Sequence, residues 1–331
     1  MKKWLYSGLL SISLVVISGC GDGQEDQSSD EENVNETEEN QNNDQQENSA
    51  FPVEITDAVD DSLTIEEKPE RIVSTVPSNT EIAFALGLGD EIVGVSDHAN
   101  YPEEATEKER VGGLDFDVET IISLEPDLVL SDASSLQQAE SGLNQLEEAG
   151  IDVLIVNNAS SFDDAYESME MIGQATGTEE QATSIVSDMK DDMEELEETA
   201  QEIPEDEQKK VWMEVQPAPE IFTTGQGTFV HEMLETINAE NAAAEEEGWV
   251  PYSEEEAVDL NPDVIITTYG SYSEGNPAEK IKERSGWSNV PAVENNEIYD
   301  VNNDTVSRPG PRLVEGVQEL AELVYPDVFA E

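Results

Sequence analysis

The segment "DVETIISLEPDLVL", residues 117–130, combines the start of a helix, a Pro-Asp break and a short apolar strand. The same order of features returns at residues 253–266 as "SEEEAVDLNPDVII". In each copy a glutamate, Glu119 or Glu255, precedes the proline by seven positions. A helix pattern that alternates with short apolar strands is typical of parallel α/β sheets. We therefore predict that the chain contains two related α/β units.

Short apolar runs alternate with helix-like stretches on both sides of these segments. The first series includes "RIVSTV", "EIVGVS", "DLVLS" and "DVLIVN", and the second runs from "KKVWMEV" to "EIYDV" before the amphipathic stretch "RPGPRLVEGVQELAELV". A chain of 331 residues is long enough for two lobes with separate cores, because single cores seldom grow beyond about 250 residues. The pattern predicts an α/β protein with two Rossmann-like lobes of mostly parallel sheet, at 51–177 and 204–331.

One long helix is expected between the two lobes. Apolar residues from Ala182 to Ile203 recur at spacings of three and four, which places them on one face of a helix. Thr178 is followed three residues later by Gln181, a pattern that fits a capping box at the helix start. We predict a rigid α-helix over 178–203 that joins the lobes.

The N-terminal 50 residues have the features of an exported lipoprotein. Residues 1–20 carry Lys2 and Lys3, then an apolar run, then small residues directly before Cys20, as a signal peptide does. We predict lipidation of Cys20, which would anchor the chain at the extracytoplasmic face of the cell membrane, as in a Gram-positive bacterium. The alternative is an ordinary secretory signal with a chance cysteine. Residues 21–50 are polar and acidic, and we expect them to form a disordered tether.

The chain is strongly acidic, with 78 acidic and 14 basic residues and a net charge of −64. Residues 21–50 hold only 11 of the acidic residues, so most of the charge belongs to the folded body. Self-repulsion of this size destabilises a compact state, and halophilic proteins use it for solubility. The acidity indicates a salt-rich habitat, and neither nucleic acid nor an anionic lipid surface is expected as a partner.

Several stretches together resemble a known family of binding proteins. They include "RIVSTVPSNTEIAFALGLGDEIVGVSDHANYPEEA", "IFTTGQGTFVHEMLETINAENAA", "WVPYSEEEAVDLNPDVIITT" and "RPGPR". In order and spacing, nearly all of residues 65–328 resembles the substrate-binding lipoproteins of ABC importers for cobalamin and iron chelates, most closely the cobalamin branch. The resemblance implies a monomer with two α/β lobes bridged by one helix, a small-molecule chelate in the cleft between them, and delivery to a permease dimer.

The resemblance also gives a role to the paired glutamates. It implies that Glu119 and Glu255 each pair with arginines of one permease subunit, so that two similar lobes dock on a two-fold dimer. Exposed ion pairs contribute only about 0 to 1 kcal/mol each, so such a pair would set the register of docking more than its strength. The alternative is that both glutamates only stabilise helix N-termini, where the helix dipole favours a carboxylate.

The family's cleft positions are matched by polar and aromatic residues of this chain. The implied ligand-binding residues are Pro77, Ser78, Asn79, His98, Tyr101, Trp249, Asp304 and Arg308. Trp249 matches an aromatic that packs on the corrin, and a flat macrocycle suits aromatic and apolar walls with a few polar anchors. The alternative for Trp249 is a core tryptophan.

Two departures from the cobalamin branch leave the ligand open. His98 stands where that branch often has an aromatic residue, and Gly113 where its best-known member has a tryptophan. A ferric siderophore or haem is therefore the alternative to cobalamin, and whether His98 contacts a metal centre stays open. Siderophores are often anionic, so a chain with only 14 basic residues favours a neutral ligand.

Other classes of function fit the sequence less well. A surface hydrolase would need a nucleophile, a base and an orienting group in one cleft. The chain has two histidines, no GxSxG motif and no cysteine besides Cys20, so we predict that it is not an enzyme. Two histidines are also too few for the binding protein of a zinc or manganese importer. No resident metal or cofactor is predicted.

Overall fold

The computed structural model describes residues 51–329, which belong to one compact unit. The predicted signal peptide, Cys20 and the tether lie outside the described residues, and the predicted domain boundaries stay predictions. Within residues 51–329, no helix combines the length and the apolar character that a membrane span requires.

The described part of the chain alternates strands and helices along most of its length. The strands are β1 Val53–Thr56, β2 Ser62–Ile65, β3 Ile72–Ser74, β4 Ile92–Val95, β5 Glu109–Arg110, β6 Leu128–Asp132, β7 Asp152–Val156, β8 Lys210–Glu214, β9 Ile221–Thr224, β10 Glu240–Asn241, β11 Trp249–Tyr252, β12 Val264–Thr267 and β13 Ile298–Asp300. The helices are α1 Pro77–Ala85, α2 Val118–Ser123, α3 Leu136–Glu148, α4 Phe162–Thr176, α5 Glu179–Ala200, α6 Phe229–Thr236, α7 Glu254–Asp259, α8 Pro277–Lys282, α9 Pro291–Glu294, α10 Asn303–Ser307, α11 Leu313–Val324 and α12 Pro326–Phe329.

Each lobe is built on one parallel sheet. The N-terminal sheet has the strand order β5-β4-β3-β6-β7, and the C-terminal sheet has the order β10-β8-β12-β13. Two antiparallel pairs, β1 with β2 and β9 with β11, lie outside these sheets. The prediction of two α/β lobes with mostly parallel sheets is confirmed.

The repeated Pro-Asp step performs the same task in both lobes. The Asp127 carboxylate accepts hydrogen bonds from the backbone N–H groups of Glu70 and Arg71, directly before β3. The Asp263 carboxylate accepts one from the N–H of Lys210, where β8 begins. Each aspartate therefore satisfies backbone donors at the start of the neighbouring strand, and the sequence repeat corresponds to a structural repeat.

The turn before each Pro-Asp step is also shared. Glu125 and Asn261, the residues directly before the prolines, have φ angles of 48° and 53°. Proline disfavours the right-handed helical region for the residue before it, so α2 and α7 end here. The left-handed residue reverses the chain toward β6 or β12.

Helix α5 corresponds to the long helix predicted over 178–203. Its buried face consists of Ala182, Val186, Met189, Met193 and Ala200. The predicted capping box is wrong, because the Thr178 side chain makes no cap bond and its hydroxyl lies 2.8 Å from that of Thr176. Helix α5 packs closely on α4, since a Cβ added at Gly173 would lie 2.6 Å from the Cβ of Ala182.

The prediction of separate cores is only partly right. Each lobe has an apolar cluster of its own, around Leu146 in the N-terminal lobe and around Trp212 and Trp287 in the C-terminal lobe. The remaining cluster contains residues of both sheets, of α4 and of α5, and Leu130 and Met213 belong to it. Helix α4 packs against α1, β1 and β7 of the N-terminal lobe, and α5 packs against α6, α11 and α12 of the C-terminal lobe. Because α4 and α5 also pack on each other, they continue one core into the other.

Candidate functional site

The strand order indicates a candidate ligand site at the carboxyl edge of the N-terminal sheet. Strand β3 comes first in this sheet, and the later strands lie on both sides of it. Open α/β sheets bind ligands in the crevice outside the carboxyl ends of the strands, where the strand order reverses. Here the crevice lies between the ends of β3 and β6, which lead to Ser78 and Asp132.

A cavity of about 290 Å³ occupies this crevice, and we call it the cleft cavity. Residues of both lobes line it: Val76, Ser78, Asp132, Ser134, Asn158, Ala159, Ser160, Gly227, Thr228, Phe229, Trp249, Ser307 and Pro309. Its polar side-chain groups are hydroxyls, one amide, the indole N–H of Trp249 and one carboxylate. No lysine or arginine is among the described residues that line the cleft cavity.

Two of the predicted ligand-binding residues, Ser78 and Trp249, line the cleft cavity together. Trp249 opens β11 and is 54% exposed, whereas Trp212 and Trp287 are fully buried. This exposure removes the core interpretation of Trp249. The tryptophan presents a free aromatic surface on the C-terminal side of the cleft cavity.

The turn at the start of α1 is divided between the surface and the interior. Pro77 occupies the first helical position, where a missing N–H costs nothing. Asn79 is 1% exposed, and its amide donates a hydrogen bond to the backbone carbonyl of Ser131. Asn79 thus fastens α1 to the end of β6, and direct contact of Pro77 and Asn79 with a ligand stays a prediction.

Asp304 and Arg308 lie in a network of polar contacts between the lobes. Arg308 donates to Asp304 at 2.8 Å, to Glu81 at 2.8 Å and to the side-chain carbonyl of Asn100 at 2.7 Å. Asn100 in turn donates to Asp304 at 2.9 Å. Arg312 donates to both oxygens of Glu81, at 2.8 and 2.7 Å. We call these five residues the interlobe network, and Arg308 does not itself line the cleft cavity.

Charge complementarity is strong within the interlobe network. Burial alone would lower the pKa of Arg312, but the hydrogen bonds and the charge of Glu81 outweigh it, so the pKa of Arg312 lies above its ordinary value. Arg312 therefore stays protonated. The guanidinium groups of Arg308 and Arg312 are directed at carboxylates of the protein.

The structure separates Tyr101 from the cleft cavity. The Tyr101 ring is 44% exposed, and the guanidinium of Arg312 lies 4.1 Å from its centroid. Both residues line a second groove of about 780 Å³, together with Phe84 and Lys108, and we call it the side groove. Tyr101 does not line the cleft cavity, and its contact with a ligand stays a prediction.

His98 is exposed and lies beside the glycine that departs from the cobalamin branch. A Cβ added at Gly113 would lie 3.4 Å from Nε2 of His98. The imidazole therefore borders the space that a larger side chain at position 113 would enter. The next residue, Leu114, is 60% exposed and adds an apolar side chain to this loop.

Asp132, which was not among the predicted site residues, ends β6 at the cleft cavity. Its carboxylate accepts a hydrogen bond from the backbone N–H of Ser134 at 2.8 Å. Burial raises the pKa of Asp132, against the opposing effect of the bonds from Ser134. In the sequence, Asp132 could have been recognised as a candidate from its position at the end of a buried strand. That position indicates a ligand site only when the order of the strands in the sheet is known.

Glu119 and Glu255 are exposed near the starts of α2 and α7. The hydrogen-bonding caps of these helices are other residues: Asp117 accepts from the N–H of Thr120, and Ser253 forms a capping box with Glu256. Within residues 51–329, neither glutamate side chain has a hydrogen bond or ion pair. Both carboxylates are thus free on the surface, and their role in docking stays a prediction.

Comparison with known proteins identifies the family. Residues 72–305 match the periplasmic binding protein family, and the chain belongs to it. This is a family of solute-binding transport proteins, so the predicted family resemblance is confirmed.

Two curated relatives illustrate the similarity. The chain is 45% identical, over the full length of both proteins, to the "Uncharacterized ABC transporter substrate-binding lipoprotein YvrC" of Bacillus subtilis. It is 28% identical to the vitamin B12-binding protein of Vibrio parahaemolyticus, over 79% of this chain and 92% of the relative.

Solved structures show the same fold. A possible iron-binding (periplasmic solute-binding) protein of Staphylococcus epidermidis is 37% identical with a TM-score of 0.71, over 78% of this chain and 100% of that chain. The periplasmic heme-binding protein RhuT of Roseiflexus sp. RS-1 is 25% identical with a TM-score of 0.70, over 78% of this chain and 99% of that chain. These matches support the two-lobed fold for the region that they cover.

Proposed function

We propose that this chain is the extracytoplasmic substrate-binding lipoprotein of an ABC importer, and that its ligand is cobalamin or a related corrinoid. The observation that carries the ligand proposal is the chemistry of the cleft cavity. Its described lining offers hydroxyls, an amide and the Asp132 carboxylate, and no cation. A corrin ring carries neutral amide side chains that can form hydrogen bonds with these groups. The carboxylates of haem or of many iron chelates would instead require positively charged side chains in the cavity.

Trp249 supplies the apolar part of the proposed site. A tryptophan that is 54% exposed at the edge of a ligand cavity can cover one face of a flat macrocycle. The cleft cavity of about 290 Å³ is smaller than the roughly 300–1,000 Å³ that drug-sized ligands occupy. A corrinoid would therefore lie partly across the mouth of the cleft.

The importer part of the proposal rests on the free glutamates and on the relatives. Glu119 and Glu255 occupy matched positions on the two lobes, and each presents an unpaired carboxylate to solvent. A relative that is 45% identical bears the name of an ABC transporter substrate-binding lipoprotein. In this proposal Cys20 carries the lipid anchor, residues 21–50 form the tether, and the two glutamates meet arginines of a permease dimer.

Isothermal titration calorimetry of residues 51–331 with cyanocobalamin, in high salt, tests the ligand. We expect a dissociation constant at or below about 1 μM, in the range that a specific site provides. Binding of hemin or of a ferric hydroxamate without binding of cyanocobalamin would overturn the ligand proposal and leave the importer proposal standing.

A double variant, Glu119→Arg with Glu255→Arg, tests the docking. Its ligand affinity should equal that of the wild type, while stimulation of the importer's ATPase should be lost, because both carboxylates become cations that repel the permease arginines. Glu180→Arg with Glu195→Arg, a pair of exposed acids on α5, serves as the control of equal charge change. Full stimulation by the Glu119 and Glu255 double variant would contradict the docking role.

Haem is the second candidate ligand, and His98 is the observation that favours it. An exposed imidazole beside Gly113 can present a nitrogen to a metal centre. If haem is the ligand, hemin should bind with a shift of its Soret band, and His98→Ala should remove that shift. Binding of hemin with an unchanged spectrum in His98→Ala would exclude His98 as the metal ligand.

A further inference from the structure

A single buried carboxylate holds the two arginines of the "RPGPR" segment. Glu81 lies in α1 of the N-terminal lobe and is 4% exposed. It receives hydrogen bonds from Arg308 at 2.8 Å and from Arg312 at 2.8 and 2.7 Å. Both arginines come from the C-terminal lobe, more than 220 positions away in the sequence. Glu81 is therefore the contact on which both cations converge.

The backbone around Arg308 borders the cleft cavity, although its side chain does not. Ser307 and Pro309, its two neighbours in the chain, line the cavity, and so does Ser78, one helical turn before Glu81. The Arg308 side chain turns from this position toward Glu81 and Asn100. The backbone of Arg308 thus lies at the rim of the cleft cavity, while its guanidinium binds other residues of the protein.

The interlobe network balances its own charge. It contains two guanidinium groups and the two carboxylates of Glu81 and Asp304. An arginine whose donors already bind carboxylates has little to offer an anion in the cleft, because a new ion pair would have to replace an existing one. The cleft therefore presents the Asp132 carboxylate without a free compensating cation.

We infer that Glu81 is a specificity-determining residue, which excludes anionic ligands from the cleft by holding Arg308 in the interlobe network. This inference rests on the proposed function and deepens it. The site would then prefer ligands that place no carboxylate of their own near the rim formed by Ser307 and Pro309. A carboxylate on the ligand would meet Asp132 and no available guanidinium.

Glu81→Gln tests the inference because glutamine keeps the size and one oxygen acceptor and removes the negative charge. Two ligands with the same corrin ring are compared by calorimetry: cyanocobalamin, and its monocarboxylate derivative, in which one amide is hydrolysed. The wild type should prefer cyanocobalamin. In Glu81→Gln the affinity for the monocarboxylate relative to cyanocobalamin should rise about tenfold, since Arg308 can now reach an anion in the cleft. The double variant Glu81→Gln with Arg308→Gln should return this ratio to the wild-type value.

Glu104→Gln is the matched control, since Glu104 is exposed, lines the side groove and undergoes the same change of charge. It should leave the affinity ratio unchanged. If Glu81→Gln fails to fold, Asp304→Asn releases Arg308 from its other carboxylate and should shift the ratio in the same direction. An equal loss of affinity for both ligands, or an unchanged ratio in the folded variant, would overturn the inference and leave Glu81 as a structural contact.

The ligand pair also separates this inference from the proposed function. If neither corrin binds the wild type, the cobalamin proposal fails, and hemin and its dimethyl ester replace the corrin pair. Glu81→Gln should then raise the affinity for hemin relative to the ester, and an unchanged ratio overturns the inference. If no ligand of either pair binds to the wild type or to Glu81→Gln, both proposals are overturned.

Discussion

Replacement of Trp249 by alanine should weaken ligand binding without unfolding the protein. The side chain is 54% exposed, and its loss removes little from the core. A tryptophan side chain covers up to about 250 Å² when it is buried, so the exposed part amounts to roughly 135 Å². At about 25 cal/mol per Å² of apolar surface, full coverage by a ligand would contribute roughly 3 kcal/mol.

Part of that free energy is offset when the ligand and the surrounding side chains become ordered. We therefore expect Trp249→Ala to weaken binding about 10-fold to 100-fold in a variant that remains folded, although loss of the buried part of the ring lowers the free energy of unfolding. Calorimetry measures the affinity, and urea unfolding measures the stability. Tryptophan fluorescence gives a second measure, because Trp212 and Trp287 are fully buried and the change on ligand addition should come from Trp249.

Val59→Ala provides the control for loss of an exposed apolar side chain. Val59 is 40% exposed between β1 and β2, and its replacement should leave ligand affinity unchanged. A Trp249→Ala protein that binds within about threefold of the wild type would show that the ligand does not cover this ring, and would refute the calculation.

Three further changes act on stability. The buried guanidinium of Arg284 donates hydrogen bonds to both carboxylate oxygens of Glu214. Glu214→Gln removes the counter-charge and should lower the free energy of unfolding in urea by about 3–5 kcal/mol. A loss below about 1 kcal/mol would contradict this role. Burial raises the pKa of Asp132 in the folded state, so ionisation of this carboxyl group reduces the stability of the protein as the pH rises through that pKa. Asp132→Asn should therefore be more stable than the wild type at pH 7, and the difference in stability should vanish below the pKa of the unfolded state. A difference that stays constant with pH would exclude this cause. Gly173→Val should cost about 1–3 kcal/mol, since a Cβ at this position lies 2.6 Å from that of Ala182, and an unchanged melting temperature would show that α4 and α5 can separate at no cost.

The parts of the fold that sequence reasoning predicted depend on local periodicity. The two series of short apolar strands and the long apolar face of α5 can be read within windows of a few residues, because each element's pattern reflects which of its own faces is buried. The Pro-Asp repeat was also visible, although its cause was not. Asp127 binds backbone groups 56 and 57 positions earlier, and only the sheet order brings them together.

The candidate site was harder to predict because its contacts join distant parts of the chain. Arg308 was chosen as a ligand contact, but its guanidinium binds Glu81, 227 positions away. Asp132 became a candidate only when β3 and β6 were known to be neighbours. The Thr178 cap failed for a more local reason, since a competing hydroxyl two residues earlier lies at 2.8 Å.

The core that passes through α4 and α5 has a mechanical consequence. A pair of helices that packs on itself and on elements of both lobes resists bending, because a rotation of one lobe would have to break close side-chain contacts. Capture of a ligand should then change the spacing of the lobes by little, and heat should melt both lobes in a single step. A transporter that meets this molecule would distinguish its loaded form from its empty form at the rim of the groove, rather than by a large swing of two arms.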